Sequence, residues 1–461
     1  MATRTTTVMP AIQVQGQRAY HGLKVNGSRM LETLHKTCDF GKAHPWGELA
    51  TETGMARLSL NDDDKKVRDW LLGEAESLGC KVTVDQMGNM FAVRPGRSKD
   101  AAPVMMGSHL DTQPTGGRYD GILGVMAGLE VLRTLEDNKW ETEGPVGLVN
   151  WTNEEGARFP IVTVASGVWA GAIPLETAWN LTEVTPPAGN TPQNMKQELS
   201  RIGYLGDTPA SHTSFPIGAH FELHIEQGPI LEDTGRKIGV VTGAQAHSWF
   251  EVVVSGSDGH AGTTPMSMRQ DSVLAAARMI VASNEIAKRH QGLITTGIVG
   301  GLPGSVNTVP HTAKFTLDVR HTSDATLGEM VEQCHTQFEE IAKNNSERGV
   351  EVLWKTLTEN KAVVFHEDCV KAVEEAAEEY CSQLPNHGDA VESKRWQHIT
   401  SGAGHDSCHV NKICPTAMIF APTRKGRSHT PDEYCPAEDC VAGAQVLLGA
   451  VLRYDASRNL A

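Results

Sequence analysis

The spacing of apolar residues in the first half of the chain alternates between the period of a helix and the period of a strand. Helical spacing covers residues 62–78 and 120–135. Short apolar runs of strand character cover residues 81–84, 90–93, 103–106, 146–151 and 220–225. Residues 182–216, rich in Pro, Gly, Thr and Asn, predict a surface excursion. Together these patterns predict an α/β fold with a mixed, largely parallel sheet.

The pattern changes between about 246 and 360. The predicted elements there are strand 249–255, helix 271–289, strands 293–299 and 312–320, helix 325–344 and strand 350–357. This β-α-β-β-α-β order predicts a compact ferredoxin-like α+β domain. The α/β style then resumes with helix 367–381, strand 416–421 and helix 438–454. We therefore predict one domain made of 1–245 and 361–461, interrupted by an inserted domain at 246–360.

Composition and charge narrow the class of partner. A chain of 461 residues, of which 39% are hydrophobic and 21% charged, is long enough for two domains, because single cores stop growing near about 250–300 residues. The 41 basic against 56 acidic residues give a formal charge of -15, which opposes binding to nucleic acid. No apolar run approaches the roughly 18 residues of a membrane span. We therefore expect a small-molecule substrate, with neither a nucleic-acid nor a membrane partner.

The N-terminal residues and the cysteines bear on the compartment. Residues 1–31 contain basic but no acidic residues, a bias found in mitochondrial transit peptides, so a flexible or targeting segment is one interpretation of them. The N-terminus has no apolar stretch of secretory type. The nine cysteines form no Cys-x-x-Cys pair and are odd in number, which fits reduced thiols. We expect a cytoplasmic protein, with a mitochondrial location as the alternative.

Residues able to bind a metal follow three of the predicted strands. His109, the pair Glu154 and Glu155, and His224 all lie near the carboxyl ends of such strands, where ligands bind in α/β sheets. Taken singly, each has an ordinary structural interpretation. The two adjacent carboxylates repel each other unless a cation compensates, so one can bind metal while the other takes a proton from water. Asp111, two residues after His109, can orient the imidazole through its carboxylate.

Eight ordered segments of this sequence resemble those of the M20 metallopeptidase clan. They are Gly107-Ser-His-Leu-Asp-Thr-Gln113, Tyr119-Asp-Gly-Ile-Leu-Gly124, Asn153-Glu-Glu-Gly-Ala-Arg-Phe159, His224-Ile-Glu-Gln-Gly-Pro229, Gly259-His-Ala-Gly-Thr-Thr-Pro265, the stretch from Asn307 to Arg320, Ser401-Gly-Ala-Gly-His-Asp-Ser407 and Ser428-His429. The matches span about 30–455. Within the clan, the chain resembles the amidase, hydantoinase and carbamoylase branch and is similar to the fungal β-alanine synthase type of β-ureidopropionase.

The resemblance implies two divalent metal ions per subunit. It places the bridging role on Asp120, with His109 and His224 completing one metal site and Glu155 and His429 the other. Zinc is the expected metal, because imidazole and carboxylate are its usual ligands; Mn²⁺, Co²⁺ and Ni²⁺ are alternatives. None of the cysteines is needed.

The remaining site residues are also assigned by the resemblance. Glu154 is the general base, and His260 contacts the oxyanion of the attacked carbonyl. The substrate-binding residues implied are Gln227, His247, Asn307, Arg320, Gly402 and Ala403, with Arg320 gripping the substrate carboxylate. His405 and Asp406 are left as structural residues. The inserted domain is implied to act as a lid and to mediate a homodimer.

The implied reaction is hydrolysis of the ureido C–N bond of an N-carbamoyl amino acid. The leading substrate is N-carbamoyl-β-alanine from pyrimidine degradation, which gives β-alanine, CO₂ and NH₃. An N-carbamoyl-L-amino acid or allantoate is an alternative substrate, because few residues need separate them and His247 differs from the fungal type. An exopeptidase of the same clan and a catalytically inactive binding protein are further alternatives.

Overall fold

The computed structural model describes residues 22–186, 189–344, 348–385, 394–458 and 460. The chain divides into two compact units. Unit 1 comprises the residues up to Val240 together with His366–His398 and the residues from His405 onward, and unit 2 comprises Val241–Phe365 and Ile399–Gly404. The predicted insert, 246–360, lies inside unit 2. Of the predicted N-terminal targeting segment, residues 1–21 lie outside the described residues.

Helices pack against the sheets of both units. They are α1 (Gly27–Thr37), α2 (Asp62–Ser77), α3 (Ile122–Asp137), α4 (Val164–Trp169), α5 (Leu175–Trp179), α6 (Met195–Ile202), α7 (Ile230–Asp233), α8 (Ser272–His290), α9 (Asp324–Asn344), α10 (Glu367–Ser382), α11 (Asp406–Val410) and α12 (Ala437–Ser457), with short 3₁₀ turns at Met266–Met268 and Arg424–Gly426. Within the described residues, none of these helices has both the length and the apolar character that a membrane crossing requires.

The strands are distributed over both units. They are β1 (Lys42–Pro45), β2 (Thr53–Met55), β3 (Lys81–Val84), β4 (Met90–Arg94), β5 (Val104–His109), β6 (Val146–Trp151), β7 (Ala219–Ile225), β8 (Ile238–Ala244), β9 (Ala246–Ser255), β10 (Gly259–His260), β11 (Leu293–Thr295), β12 (Val299–Leu302), β13 (Thr308–Val309), β14 (Thr312–His321), β15 (Glu351–Asn360), β16 (Val363–Val364), β17 (Trp396–Ser401) and β18 (Thr416–Ala421).

The central sheet of unit 1 confirms the predicted mixed, largely parallel arrangement. Six of the nine strands of this sheet run in the order β18-β7-β5-β6-β4-β3, and β8, β16 and β17 continue it beyond β18. The first four are parallel, and β4 and β3 are antiparallel to their neighbours. Every residue of β5, β6, β7 and β18 is buried, as expected for parallel strands covered on both faces.

Strand β7 carries polar residues inside this core because its side chains alternate between two faces. Phe221 and Leu223 belong to the apolar core, which α3 and α12 also build. His220, Glu222 and His224 have the opposite parity and are equally buried. The strand therefore places an imidazole at its carboxyl end on the face opposite Phe221 and Leu223, the face on which His220 contacts Trp151 of a second apolar cluster.

Unit 2 has the predicted ferredoxin-like topology. An antiparallel sheet runs in the order β11-β14-β9-β15, and β12 also pairs with β14. In β9 the buried residues alternate with half-buried or exposed ones from Ala246 to Ser255. Helices α8 and α9 pack together with these strands. The alternation leaves one face of the sheet, which includes His247 and Trp249, outside the core.

Two local predictions differ from the structure. The predicted strand 293–299 is split into β11 and β12, because three residues, 296–298, lie opposite only two residues of β14 between the pairs Thr295–Asp318 and Val299–Phe315. The predicted excursion 182–216 contains helix α6, which a capping box of Asn194 and Gln197 begins. That pair was a readable helix signal, outweighed by the Pro and Gly around it.

Candidate active site

Several candidate site residues lie at or just after the carboxyl ends of three parallel strands of unit 1. His109 ends β5 and lies opposite Trp151, the last residue of β6. Glu154 and Glu155 follow β6 after Asn153, whose φ of 58° turns the chain in a conformation that asparagine tolerates. Asn153 donates side-chain hydrogen bonds to the carbonyls of Phe159 and Ile161 (both 3.1 Å), which holds this turn.

Two histidines converge on one oxygen of Asp120. Their Nε2 atoms lie 3.4 Å (His109) and 3.1 Å (His224) from Asp120 Oδ1. Each Nδ1 lies within hydrogen-bond distance of a backbone carbonyl, that of Asp111 (2.9 Å) or Ile225 (2.8 Å). Because a carbonyl only accepts, both Nδ1 atoms donate, which leaves each Nε2 of a neutral ring with a lone pair. Both Nε2 atoms are buried without a hydrogen-bond partner, so this trio fits a metal ion.

A second group shares the same aspartate. His429 Nε2 lies 3.4 Å from Asp120 Oδ2 and 3.4 Å from Glu155 Oε2. Gln113 orients Glu155 by donating its backbone N–H (3.2 Å) and its side-chain amide (2.8 Å) to the two carboxylate oxygens. Asp120 therefore presents one oxygen to each group. The ligand atoms within each group all lie within 4.8 Å of one another, a donor set that suits two divalent ions bridged by a carboxylate.

The site crowds several buried carboxylates together. Burial raises the pKa of Glu154 well above its usual range, and the nearby carboxylates of Asp406 and Glu155 add to this effect. Burial and then Asp120 raise the pKa of Glu155 to about 7. The hydrogen bond to Asp120 raises the pKa of His429 to about 9. Crowded buried carboxylates of this kind are what bound cations would stabilise.

Glu154 stands beside the two groups rather than within them. Its Oε2 lies 3.6 Å from His109 Nε2, and its residue is 8% exposed. Among the described residues, Glu155 belongs to a group whose potential ligand atoms lie within 4.8 Å of one another, whereas Glu154 belongs to no such group. This arrangement leaves Glu154 free to accept a proton.

Asp111 acts through different atoms from those predicted. The prediction that its carboxylate orients His109 is wrong, because the backbone carbonyl of Asp111 accepts the imidazole hydrogen bond. The carboxylate instead accepts the backbone N–H groups of Glu154 and Glu155, both at 3.2 Å. An extended backbone would place both side chains on one face, but the ladder of β5 ends at His109 and Asp111 lies outside it. Asp111 thus supports the metal ligand and the candidate base together.

Gln227, predicted to bind substrate, contacts a predicted metal ligand. Its side-chain amide donates to Asp120 Oδ2 at 2.7 Å, and its backbone N–H donates to the Thr423 hydroxyl at 3.0 Å. Its φ of 59° is rare for a residue with a side chain. The same strained region holds His429, with a φ of 56°. Backbone strain of this kind is concentrated at functional sites.

In unit 2, Arg320 is held by two groups. Its Nε and Nη2 donate to Asp318 (2.9 and 2.8 Å), and its Nη1 donates to the carbonyl of Gly402 (2.9 Å). Gly402 was predicted to belong with 361–461 but lies in unit 2, as does Ala403. The N–H of Ala403 donates to Ser401 Oγ at 3.1 Å. A guanidinium has five N–H bonds, so one on each Nη remains for a ligand.

His247 lies next to Arg320 on the open face of the unit 2 sheet. The two residues are paired across β9 and β14, and His247 is also paired with Asn360 across β9 and β15. The Asn360 side-chain amide lies 3.0 Å from His247 Nε2. Burial, and then the charge of Arg320, lower the pKa of His247. A neutral imidazole in this position accepts the amide hydrogen bond at Nε2 and carries its proton on Nδ1.

His260 and Asn307 lie at the short β10–β13 ladder of unit 2, in which His260 pairs with Thr308, the residue after Asn307. The N–H of Ala261 donates to the carbonyl of Asn307 at 2.8 Å. His260 Nδ1 accepts the N–H of Gly262 at 3.0 Å, so its Nε2 carries the proton. Asn307 Oδ1 accepts the Ser305 hydroxyl at 2.8 Å, which leaves its amide N–H groups to donate. Both exposed side chains are therefore donors.

Some residues near the metal groups were missed or set aside by sequence reasoning. His405 lies 4.6 Å from His224 between ring centroids and groups with Glu222 and His224 at ligand distance. This group is not an independent metal site, because His224 Nδ1 contacts a carbonyl and its Nε2 faces Asp120. Burial lowers the pKa of His405 to about 3. The polar parity of β7 was a signal for Glu222, whereas His405 stood in a quoted segment and was left as a structural residue.

Comparison with known proteins adds three findings. The model of peptidase family M20/M25/M40 matches residues 105–453. The chain is 38% identical to an N-carbamoyl-L-amino-acid amidohydrolase of Rhizobium meliloti (93% of this chain, 96% of the relative) and 32% identical to a ureidoglycolate hydrolase of Oryza sativa (87% and 80%). A solved amidase of the hydantoinase/carbamoylase family from Burkholderia multivorans superposes with a TM-score of 0.84 at 43% identity, over 94% of this chain and 99% of that one.

Proposed function

The chain belongs to peptidase family M20/M25/M40, and on that basis we propose that it is a metal-dependent amidohydrolase of N-carbamoyl amino acids. The resemblance to the amidase, hydantoinase and carbamoylase branch is confirmed. The observation that carries the proposal is the pair of ligand groups that share Asp120, with Glu154 beside them and outside both. The overall reaction takes one water and releases the amino acid, CO₂ and NH₃.

We propose that two divalent ions occupy these groups. His109, Asp120 and His224 hold one ion, and Asp120, Glu155 and His429 hold the other. The orphaned Nε2 atoms of His109 and His224 support this assignment. Zinc fits the imidazole and carboxylate donors best, with Mn²⁺, Co²⁺ and Ni²⁺ as alternatives. Bound ions would supply Lewis acidity and lower the pKa of a water molecule.

Glu154 is the proposed base. Its carboxylate takes a proton from the attacking water and returns a proton to the leaving nitrogen. Asp111 fixes the backbone of Glu154 through its carboxylate (3.2 Å), so the base is held in place while it exchanges the proton. The proposed donors to the oxyanion are His260 Nε2 and the amide of Asn307, which the local hydrogen bonds leave with outward N–H groups.

Arg320 is the proposed receptor of the substrate carboxylate. Asp318 occupies the side of the guanidinium that carries Nε and Nη2, and Gly402 takes one N–H of Nη1. The remaining N–H bonds, one on Nη1 and one on Nη2, are proposed to donate to the two oxygens of a carboxylate. A substrate with a free carboxylate next to its ureido group would meet this requirement.

The substituent of the substrate is proposed to meet His247, with Gly402 and Ala403 providing backbone contacts. The sequence favoured N-carbamoyl-β-alanine, whereas the relatives are named for N-carbamoyl-L-amino acids and ureidoglycolate. We therefore propose an N-carbamoyl-L-α-amino acid as the first substrate and keep N-carbamoyl-β-alanine as the second. The hydrogen-bonded side chains of His247 and Asn360 are polar, so they favour a substituent that can lie against polar groups.

Ammonia release by the purified, metal-loaded protein tests the proposal. N-carbamoyl-L-α-amino acids, N-carbamoyl-β-alanine, allantoate, ureidoglycolate and a dipeptide are offered in parallel, with amino-acid release measured for the dipeptide. We expect kcat/KM for an N-carbamoyl-L-α-amino acid to be at least about tenfold higher than for the dipeptide. The reason is that the proposed site distinguishes substrates by their carboxylate and ureido groups. Preference for the dipeptide would indicate an exopeptidase. No turnover with two ions bound would favour an inactive binding protein.

We further propose a homodimer through residues 246–360. Strand β12 lies at an edge of the unit 2 sheet, and all four of its residues are exposed. Val299 is 65% exposed and Leu302 57%. An apolar, unpaired edge of this kind is an aggregation hazard unless another chain covers it.

The dimer can be tested by placing a charge on this edge. We expect Val299→Lys to shift the protein from dimer to monomer in light scattering at micromolar concentration, because a buried lysine without a partner is costly. Lys355→Glu, on the opposite edge strand β15, is the matched control and should leave the mass unchanged. A Val299→Lys protein that keeps the dimeric mass would contradict the assigned edge.

A further inference from the structure

Glu433 is a buried carboxylate that contacts the backbone of the candidate bridging ligand. It is 2% exposed. Its Oε1 accepts the backbone N–H groups of Tyr119 (3.1 Å) and Asp120 (3.0 Å), and its Oε2 accepts the Ser428 hydroxyl (2.9 Å). Within the described part of the chain, no Lys or Arg forms an ion pair with it. Its partners are therefore the hydrogen-bond donors of two loops.

These two loops carry ligands of both proposed ions. One loop contains Asp120, and the other contains Ser428 and His429, about 300 residues later in the chain. Ser428 Oγ lies 3.0 Å from Asp120 Oδ2 as well as 2.9 Å from Glu433 Oε2. Glu433 thus connects the backbone of the shared ligand to the loop of the most exposed ligand.

The loop that contains Asp120 has glycines, rather than larger side chains, near this residue. Gly121, directly after it, has a φ of 67°, and a Cβ there would lie 2.3 Å from the His109 ring. A Cβ at Gly117 would lie 2.3 Å from the Cβ of Glu433. Glycines on both sides of Asp120 permit this close approach but leave the backbone without side-chain anchors. The carboxylate of Glu433 supplies the anchor.

We propose that Glu433 is a positioning residue that sets the affinity of the second ion, the one assigned to Asp120, Glu155 and His429. This inference rests on the proposed two-ion site. His109 and His224 are fixed by buried strands and by hydrogen bonds to carbonyls. His429 is half exposed on a loop with a φ of 56°. The ion that depends on His429 is therefore more sensitive to the loss of Glu433 than the first.

Glu433→Ala and Glu433→Gln separate positioning from a general structural role. Alanine removes all three hydrogen bonds. Glutamine keeps the carbonyl oxygen that accepts from Tyr119 and Asp120, and its NH₂ group donates to Ser428 Oγ, whose proton then goes to Asp120. Asp455→Ala is the control: Asp455 is 2% exposed, accepts the backbone N–H groups of Glu143 (2.6 Å) and Gly144 (2.9 Å), and pairs with Arg458 (2.7 Å) rather than with any loop of the site.

The measurement is a titration of each metal-free protein with Zn²⁺ against a chromophoric chelator, with Co²⁺ absorption spectra and thermal unfolding recorded in parallel. In Glu433→Ala we expect one site to keep its affinity and the other to weaken by about 10- to 100-fold, the usual effect of losing such a partner. We expect Glu433→Gln to restore the second affinity to within about threefold of the parent. Asp455→Ala should lower the unfolding temperature without changing either affinity.

If Glu433→Ala binds both ions with the affinities of the parent protein, this inference is wrong, and the proposed two-ion site is not affected. Equal weakening of both sites in Glu433→Ala, or the same metal loss in Asp455→Ala, would also overturn it, because the effect would then be a general loss of structure. A parent protein that binds fewer than two ions would overturn the proposed two-ion site and this inference with it.

Discussion

Replacing Glu154 by glutamine is expected to lower kcat by about 10²- to 10⁴-fold, the usual contribution of a positioned acid or base, while both ions stay bound. Glutamine has nearly the same volume but cannot accept a proton from water. Glu154 lies outside both ligand groups, so the metal sites should survive. Single-turnover kinetics together with metal analysis of the purified variant would measure both quantities.

The adjacent residue provides the contrast for this experiment. Glu155 belongs to the second ligand group and accepts two hydrogen bonds from Gln113. Glu155→Gln should therefore lose metal, and its activity should recover in part at high metal concentration. Activity of Glu154→Gln within threefold of the parent would reject Glu154 as the base. Loss of metal in Glu154→Gln would instead make it a ligand.

Replacing Arg320 by alanine is expected to weaken substrate recognition more than folding. Removing one partner of a hydrogen-bonded charge pair costs about 2–4 kcal/mol, which is about 30- to 1,000-fold in kcat/KM. Most of the loss should appear in KM, because the carboxylate is bound equally in the ground and transition states. Steady-state kinetics with an N-carbamoyl-L-α-amino acid would measure this division.

A substrate without the carboxylate makes this prediction specific. The parent should lose activity on an N-carbamoyl amino acid amide, whereas Arg320→Ala should treat the acid and the amide alike, since the two changes remove the same contact. Lys314→Ala, on the same strand and paired with Glu251 (2.5 Å), should change neither rate. If Arg320→Ala still prefers the acid, Arg320 does not bind the carboxylate.

The spacing of apolar residues and the residue types at strand ends were enough to predict the fold class and part of the candidate site. The parallel strands that contain His109 and His224, and the strand that precedes Glu154, were predicted from short apolar runs. The ferredoxin-like unit was predicted from the order of its elements. Both follow from local rules, because the period of apolar residues and the polarity of a strand end are written in neighbouring positions. The family resemblance then extended the predicted site to residues far apart in sequence.

The tertiary structure decided which atoms meet. Asp111 was predicted as a partner of His109, but only the folded path of the chain beyond β5 determines that its carbonyl, and not its carboxylate, contacts the imidazole. Gly402 lies in unit 2, where its carbonyl and Asp318 accept three of the five N–H bonds of Arg320. Glu433 lies against Asp120 although more than 300 residues separate them. Such contacts depend on how distant loops close on one another, and hydrogen bonds depend on distances of a few tenths of an ångström, which no local pattern of residues encodes.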